Sequence, residues 1–212
     1  MEEKSPLIPE KLEGRVAKVL AALTEPVELT CVPGPGERGR EMALLAGHLA
    51  SLSPLIRLRM ASQGEDEALD RALDVSLMPA TGVGAPGQLP RMVFHGVPGG
   101  QEFNAFLRAV CNAGGRGQAL SAKAAERIGS IAGGMKLQIF VTLSCGFCSD
   151  AVIAAQRIAW EHPGISAHMI DGRLYPELVR SRGVDRVPLI FTEDGRTIRG
   201  ALSPEALAKR LK

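Results

Sequence analysis

The chain is predicted to have an α/β fold made of two halves that share one plan. Helix-period and strand-like segments alternate along its 212 residues, a pattern typical of layered α/β proteins. The order helix, strand, helix, strand, helix, proline-initiated strand, strand, helix occurs twice, with Met78-Pro79 in the place of Val187-Pro188. The alternative of two unrelated α/β segments stays open, because sequence identity between the halves is weak.

Composition restricts the class of protein. Apolar residues make up 45% of the chain, charged residues 23%, and the formal net charge is +2. These values are typical of a globular domain and lack the basic excess of a nucleic-acid-binding protein. The apolar runs are too short for a membrane span, and the polar, acidic start does not resemble a secretion signal. We therefore expect a cytoplasmic protein without nucleic-acid or membrane partners.

In the first half, apolar spacing and turn residues delimit the elements in chain order. Apolar residues from Leu12 to Leu23 mark a first helix that Pro26 ends. The elements predicted after it are a strand over 27–32, a helix marked by Met42 to Leu52, a strand over 54–60, an acidic helix over 65–73, a strand over 91–95 and a helix marked by Phe103 to Val110. The stretch 78–90 is rich in glycine and proline, and the strand expected after Met78-Pro79 is much less strand-like than its counterpart in the second half, which predicts a degenerate first fold.

The second half follows a glycine-rich break at 114–117 and a helix over 121–131. The predicted elements are a strand over 136–142, a helix over 146–162 that begins near Cys145, a strand over 165–171, a helix over 174–182, a strand over 188–192 and a strand over 196–199. Residues 193–195, Glu-Asp-Gly, predict a hairpin turn. Ser203 as N-cap and Pro204 at the first position announce a last helix.

Cys145 and Cys148, separated by Gly146 and Phe147, are the most informative motif. They lie where an apolar strand gives way to a helix, whose unpaired N–H groups and partial positive charge lower a thiol pKa. In a reducing compartment such a pair is catalytic or binds metal. A zinc site would need two further ligands, for which His162 and His168 are near only in sequence.

The chemistry expected of this pair is thiol–disulfide exchange. Cys145, at the exposed helix start, attacks a disulfide and forms a mixed disulfide. Cys148, one turn later and more buried, then attacks Cys145 and releases the reduced product.

The strand, Cys-x-x-Cys and helix, followed later by a strand opened by proline, resemble the thioredoxin/glutaredoxin fold. The resemblance implies a cis Val187–Pro188 bond beside the dithiol, which turns the backbone of Val187 toward a bound extended peptide. Thioredoxins carry a buried acid six residues before the first cysteine, where this chain has Ile139. We therefore do not expect an ordinary thioredoxin.

Several further landmarks resemble one family, the N-terminal domain of the flavoprotein subunit of alkyl hydroperoxide reductase. They are the segments 25–29, EPVEL; 94–103, FHGVPGGQEF; 143–148, LSCGFC; 170–172, IDG; and 187–191, VPLIF. The resemblance implies two fused thioredoxin-like folds with three α/β/α layers each, one continuous sheet being an expected arrangement. The first fold, 1–118, lacks a dithiol, and the second, 119–212, carries it.

This resemblance also implies a function. The dithiol would pass electrons from a flavin-dependent reductase to the disulfide of a peroxiredoxin, without a bound cofactor or metal. The chain ends at Lys212, where the flavoprotein continues into its FAD and NAD(P)H domains. We therefore expect a separate reductase as electron donor, or a longer polypeptide.

The resemblance assigns catalytic roles to Cys145, Cys148, Pro188 and Glu102. Glu102 would face the groove that holds the dithiol and exchange a proton, which requires a raised pKa. The alternative is an exposed glutamate favoured by the helix dipole. Cys31, at the turn that corresponds to the active site of the first fold, is interpreted as a relic or spare thiol.

Two other functions stay open at this point. The chain could be a non-catalytic adaptor whose dithiol is redox-silent or binds zinc. It could also be an oxidoreductase that forms or isomerises disulfides, since sequence does not determine the reduction potential.

Overall fold

The computed structural model describes residues 4–212, in which helices and strands alternate. The helices are α1 Glu10–Leu20, α2 Gly36–Ser51, α3 Glu67–Leu73, α4 Glu102–Ala113, α5 Ala122–Gly129, α6 Cys148–Glu161, α7 Pro176–Ser181 and α8 Pro204–Leu211. The strands are β1 Val27–Val32, β2 Ile56–Met60, β3 Ala80–Gly84, β4 Met92–His95, β5 Met135–Val141, β6 Ile165–Asp171, β7 Leu189–Thr192 and β8 Thr197–Arg199. Every helix within residues 4–212 is too short or too polar to span a lipid bilayer.

The chain separates into two compact units. The first contains the residues up to Val97 together with Val110–Gly117, and the second contains Pro98–Ala109 together with Gln118–Lys212. Helix α4 therefore begins in the second unit and ends in the first. The domain ranges 1–118 and 119–212 stay a prediction. They place residues 98–109 in the first domain, whereas the structure groups these residues with the second unit.

In the first unit, β1 pairs in parallel with β2 and antiparallel with β3, and β3 pairs antiparallel with β4. The strand order β2-β1-β3-β4 follows from these pairings. Helix α2 contacts both β1 and β2. It begins at Gly36, six residues before the first apolar residue that marked it in the sequence.

The segment after Pro79 is strand β3, which pairs with β1 and β4, so the expectation of a degenerate first fold is wrong. All five residues of β3 are buried, and Gly82 explains why the segment looks unlike a strand. A Cβ at Gly82 would lie 2.4 Å from Pro90 and 2.8 Å from Leu73. Glycine at this position allows close packing of a buried strand. The first fold is consequently complete in its strands.

In the second unit, the strand order is β6-β5-β7-β8. Strand β5 pairs in parallel with β6, from Met135 opposite Ile165 to Val141 opposite Asp171. It pairs antiparallel with β7, which pairs antiparallel with β8. The predicted strands agree with these bounds to within one residue, whereas α7 is shorter at both ends than the predicted helix.

Local sequence signals set the end of this unit. Gly195, in the turn between β7 and β8, has φ +84°, a backbone conformation that glycine favours. The Ser203 side chain accepts a hydrogen bond from the Ala206 N–H at 3.2 Å. The hairpin turn and the N-cap of α8 predicted from sequence are therefore confirmed.

The close packing at Gly82 gives a stability test. We expect Gly82→Ala to lower the free energy of unfolding by about 1–3 kcal/mol, because the new methyl overlaps Pro90 and Leu73. Gly84→Ala is the matched control, since its Cβ would lie 3.6 Å from the Pro90 backbone, an ordinary contact. Urea unfolding followed by circular dichroism measures both. Equal losses in the two variants would contradict the packing argument.

Candidate active site

The dithiol lies in the loop between β5 and α6. The Cys145 N–H donates to the Thr142 carbonyl at 2.9 Å, which closes a turn directly after the strand. Helix α6 begins only at Cys148, so the predicted helix start near Cys145 is wrong. The turn and the exposed Gly146 and Phe147 occupy the residues that were predicted to be its first turn. Cys145 therefore precedes the helix, and Cys148 is its first residue.

Cys145 and Cys148 form a disulfide, with 5.5 Å between their Cα atoms. Cys145 is partly exposed, whereas Cys148 is fully buried. Phe147 between them is 72% exposed. A partner molecule can therefore reach Cys145, and Cys148 is positioned to react only with its neighbour. The expected order of attack requires an accessible Cys145 and a buried Cys148, and the structure has both.

Strand register brings two other segments to the dithiol loop. Val141 at the end of β5 lies opposite Asp171 at the end of β6, and Phe140 lies opposite Leu189 at the start of β7. The loop after β5, the loop after β6 and the Val187–Pro188 bond therefore meet at one edge of the sheet. This peptide bond is cis, which confirms the expectation. Met78–Pro79 in the first unit is cis as well.

The loop after β6 is held by Asp171. The Asp171 carboxylate accepts a hydrogen bond from the Arg173 N–H at 3.1 Å, and its carbonyl accepts one from the Leu174 N–H at 3.0 Å. The Arg173 guanidinium donates to the Ser144 hydroxyl at 3.3 Å. Sequence reasoning missed Arg173, because nothing in its local sequence indicates that Ser144 and Cys145 are its neighbours.

Glu102 is the first residue of α4, and the segment before it packs on the dithiol loop. The Gln101 N–H donates to the Leu143 carbonyl at 3.5 Å. Gly100 has φ +55°, and a Cβ there would lie 2.8 Å from the same carbonyl oxygen. Glu102 itself is 0% exposed, so the alternative of an exposed helix-start glutamate is wrong.

The surroundings of Glu102 favour its protonated form. Among the described residues, neither carboxylate oxygen has a hydrogen-bond partner. Burial, followed by the negative charges of Asp171 and Asp150, raises the pKa of Glu102 to about 8. At neutral pH the side chain is therefore mostly protonated, and it can give up or accept a proton with little change in pH.

The other candidates from sequence lie away from this site. His162 follows the far end of α6, about 20 Å along the helix axis from Cys148. His168 lies in β6, about 10 Å before Asp171 along the strand. Between residues 4 and 212, no group of three or more His, Cys, Asp or Glu side chains is arranged to hold a metal ion.

Cys31 lies within β1, opposite Thr81, so its predicted position at a turn is wrong. It is fully buried, and burial raises its pKa to about 11. A buried, protonated thiol is a poor nucleophile.

Comparison with known proteins identifies relatives that share this architecture. The NTD_N/C domain of alkylhydroperoxide reductase AhpF from Enterococcus faecalis is 30% identical, with a TM-score of 0.89 over 96% of this chain and 99% of that chain. The chain belongs to the family of AhpF N-terminal domains. No family model matches it.

Two further proteins are similar to this chain, one in sequence and one in fold. The F subunit of alkyl hydroperoxide reductase from Pseudomonas putida is 29% identical over 180 residues, which are 85% of this chain and 32% of that protein. The chain spans about a third of the length of the curated relatives it matches. A protein disulfide oxidoreductase from Aeropyrum pernix, 21% identical with a TM-score of 0.83 over 96% of this chain and 92% of that chain, shares the fold.

The AhpF assignment confirms the predicted α/β class with fused thioredoxin-like folds. The chain is a thiol–disulfide oxidoreductase with its Cys-x-x-Cys disulfide in the second unit.

The buried carboxyl of Glu102 predicts a pH dependence of stability. Its folded-state pKa of about 8 exceeds the usual 4.5, so the unfolded chain binds fewer protons than the folded chain between these values. Stability must then fall as pH rises from 4.5 to 8. We expect Glu102→Gln to remove about 4 kcal/mol of that fall, measured by urea unfolding across the range.

Glu126→Gln, which changes an exposed residue of α5, is the control for this measurement. It should leave the dependence of the unfolding free energy on pH as in the original chain. If the unfolding free energy of Glu102→Gln falls with pH as steeply as that of the original chain, Glu102 is not a buried, protonated group.

Proposed function

We propose that the chain carries two electrons from a flavin-dependent reductase to the disulfide of a peroxiredoxin. The Cys145–Cys148 pair is the redox group, without a further cofactor, and the reducing cytoplasm is its working compartment. The observation that carries this proposal is the pair of sulfurs, one reachable and one buried, beside the cis Val187–Pro188 bond of an AhpF-family chain. The relatives named as the F subunit of alkyl hydroperoxide reductase support the choice of partners.

The first step toward the peroxiredoxin is attack by the Cys145 thiolate. It forms a bond to one sulfur of the partner disulfide, and the other partner sulfur leaves as a thiolate that takes up a proton. The position of Cys145 just before the N-terminus of α6 favours the thiolate, because the unpaired N–H groups of the helix carry partial positive charge.

The second step releases the partner. Cys148 gives up its proton and attacks the sulfur of Cys145, which restores the intramolecular disulfide and frees the second partner thiolate. Burial makes it costly to ionise Cys148 unaided. Glu102, in its carboxylate form, is proposed to accept this proton, because its pKa of about 8 is close to that of a thiol.

The edge of the sheet is proposed to hold the partner in an extended form. Pro188 fixes the backbone of Val187 beside the dithiol loop, where its N–H and carbonyl can pair with a passing chain. The exposed ring of Phe147 would cover an apolar part of the same partner. The reductase restores the dithiol by donating two electrons, with two protons taken from solvent.

Cysteine variants test the assigned order of attack. We expect Cys145→Ser to abolish reduction of a peroxiredoxin disulfide, because the exposed sulfur is lost. Cys148→Ser should accumulate a mixed disulfide with the partner, visible by nonreducing electrophoresis and mass spectrometry. The double variant is the control and should trap nothing. Full activity of Cys145→Ser, or a dithiol that holds zinc and never cycles, would contradict the proposed function.

Glu102 can be tested by the rate of the resolving step. In the original chain, release of a preformed mixed disulfide should accelerate as pH rises through about 8, where Glu102 becomes a carboxylate. We expect Glu102→Gln to slow this release by about tenfold or more at pH 8, and its rate to rise only at higher pH, where Cys148 ionises unaided. Stopped-flow measurement of thiol release, with Glu126→Gln as control, gives both profiles. Superimposable profiles would exclude Glu102 as the proton acceptor.

A further inference from the structure

Arg173 holds a positive charge beside the dithiol loop. Its guanidinium donates to the hydroxyl of Ser144, the residue directly before Cys145, at 3.3 Å. Its backbone is fixed by the hydrogen bond from its own N–H to the Asp171 carboxylate. The side chain is exposed, and a neutral hydroxyl does not cancel its charge. The cation therefore stays available to a molecule bound at Cys145.

Arg186 lies on the other side of the same loop. It directly precedes the cis Val187–Pro188 bond and is exposed. In the strand order β6-β5-β7, Arg173 follows β6 and Arg186 precedes β7, whereas the dithiol loop follows the strand between them. An extended segment that crosses these strand ends would meet one arginine on each side of Cys145.

Neither Arg173 nor Arg186 forms an ion pair with a carboxylate of residues 4–212. Other arginines of this region do have partners: Arg180 pairs with Glu177, Arg199 pairs with Asp185 at 2.8 Å, and Arg182 lies 5.7 Å from the ring centre of Phe191. Of the nearby acids, Asp171 and Glu102 are buried, and Asp150 on the first turn of α6 is exposed. The exposed Asp185 directly precedes Arg186, but its carboxylate accepts a hydrogen bond from Arg199, and this bond, helped by the charge of Arg186, lowers the Asp185 pKa.

We propose that Arg173 and Arg186 select protein disulfides whose reactive cysteine has acidic residues on both sides in sequence. This inference rests on the proposed function and adds the charge of the segment that docks at the dithiol. Arginine suits the task, because its planar guanidinium can bind a carboxylate with two parallel hydrogen bonds. Two fixed cations also attract an acidic segment and accelerate its encounter with Cys145.

Synthetic peptides provide the test. Two peptides of equal length carry one cysteine in a disulfide with 2-mercaptoethanol, flanked by Glu in the first and by Gln in the second. The reduced protein is mixed with each peptide, and the second-order rate constant is measured at low and high salt. Hydroxyethyl disulfide serves as an uncharged small substrate. The variants are Arg173→Gln, Arg186→Gln and the double variant. Arg180→Gln is the matched control, because it removes the same charge from α7.

We expect the original chain to prefer the Glu peptide, with each single variant lowering that preference about two- to fivefold and the double variant abolishing it. High salt should reduce the preference, since exposed charges are screened. Arg180→Gln and the rates with hydroxyethyl disulfide should not change.

Equal rates for the Glu and Gln peptides in the original chain would overturn the inference. So would a variant that slows both peptides and hydroxyethyl disulfide alike, because that result assigns Arg173 to the reactivity of Cys145. Failure of the original chain to reduce any of the three substrates would instead overturn the proposed function.

Discussion

The pairing of β5 with a parallel neighbour on one side and an antiparallel neighbour on the other is the constraint on which the site depends. Parallel pairing brings the carboxyl ends of β5 and β6 to one edge, and antiparallel pairing brings the start of β7 to the same edge. Residues that are more than 40 positions apart in sequence, such as Cys145 and Pro188, thereby become neighbours. A slip of one residue in this register would turn every side chain of β5 to the opposite face.

The buried acid Glu102 lies at the start of α4, directly after residues that contact the dithiol loop. Strand β5 carries Ile139 where thioredoxins have their acid, and this side chain is fully buried in the apolar core. Glu102 instead begins α4, which lies before the dithiol strand in sequence but starts within the second unit. The absence of a Cβ at Gly100 permits the approach to Leu143 that positions it. Burial and charge give this carboxyl a pKa in the range of thiols.

The first unit has the same pattern of strand pairing as the second, but it lacks a Cys-x-x-Cys pair. It has a parallel pair, β1 and β2, antiparallel pairing of β3 with β1 and β4, and a cis bond at Met78–Pro79. The Cys31 thiol is buried within β1, where burial keeps it protonated. Gly82 of β3 allows close packing, although local propensity favours a loop there. The pattern of strand pairing and the cis X–Pro bond are therefore shared between the units, whereas the Cys145–Cys148 pair belongs to the second.

Sequence by itself determined the alternation of helices and strands, the turn at Gly195, the cap at Ser203 and the redox pair at Cys145 and Cys148. These features depend on periodicity, turn chemistry and spacing, which act within a few residues along the chain. Tertiary structure decided that α6 begins at Cys148, that 80–84 is a strand, that Glu102 is buried and that Arg173 lies beside Ser144. Each of these depends on contacts between segments distant in sequence, because burial and hydrogen-bond partners are set by packing and not by local propensity.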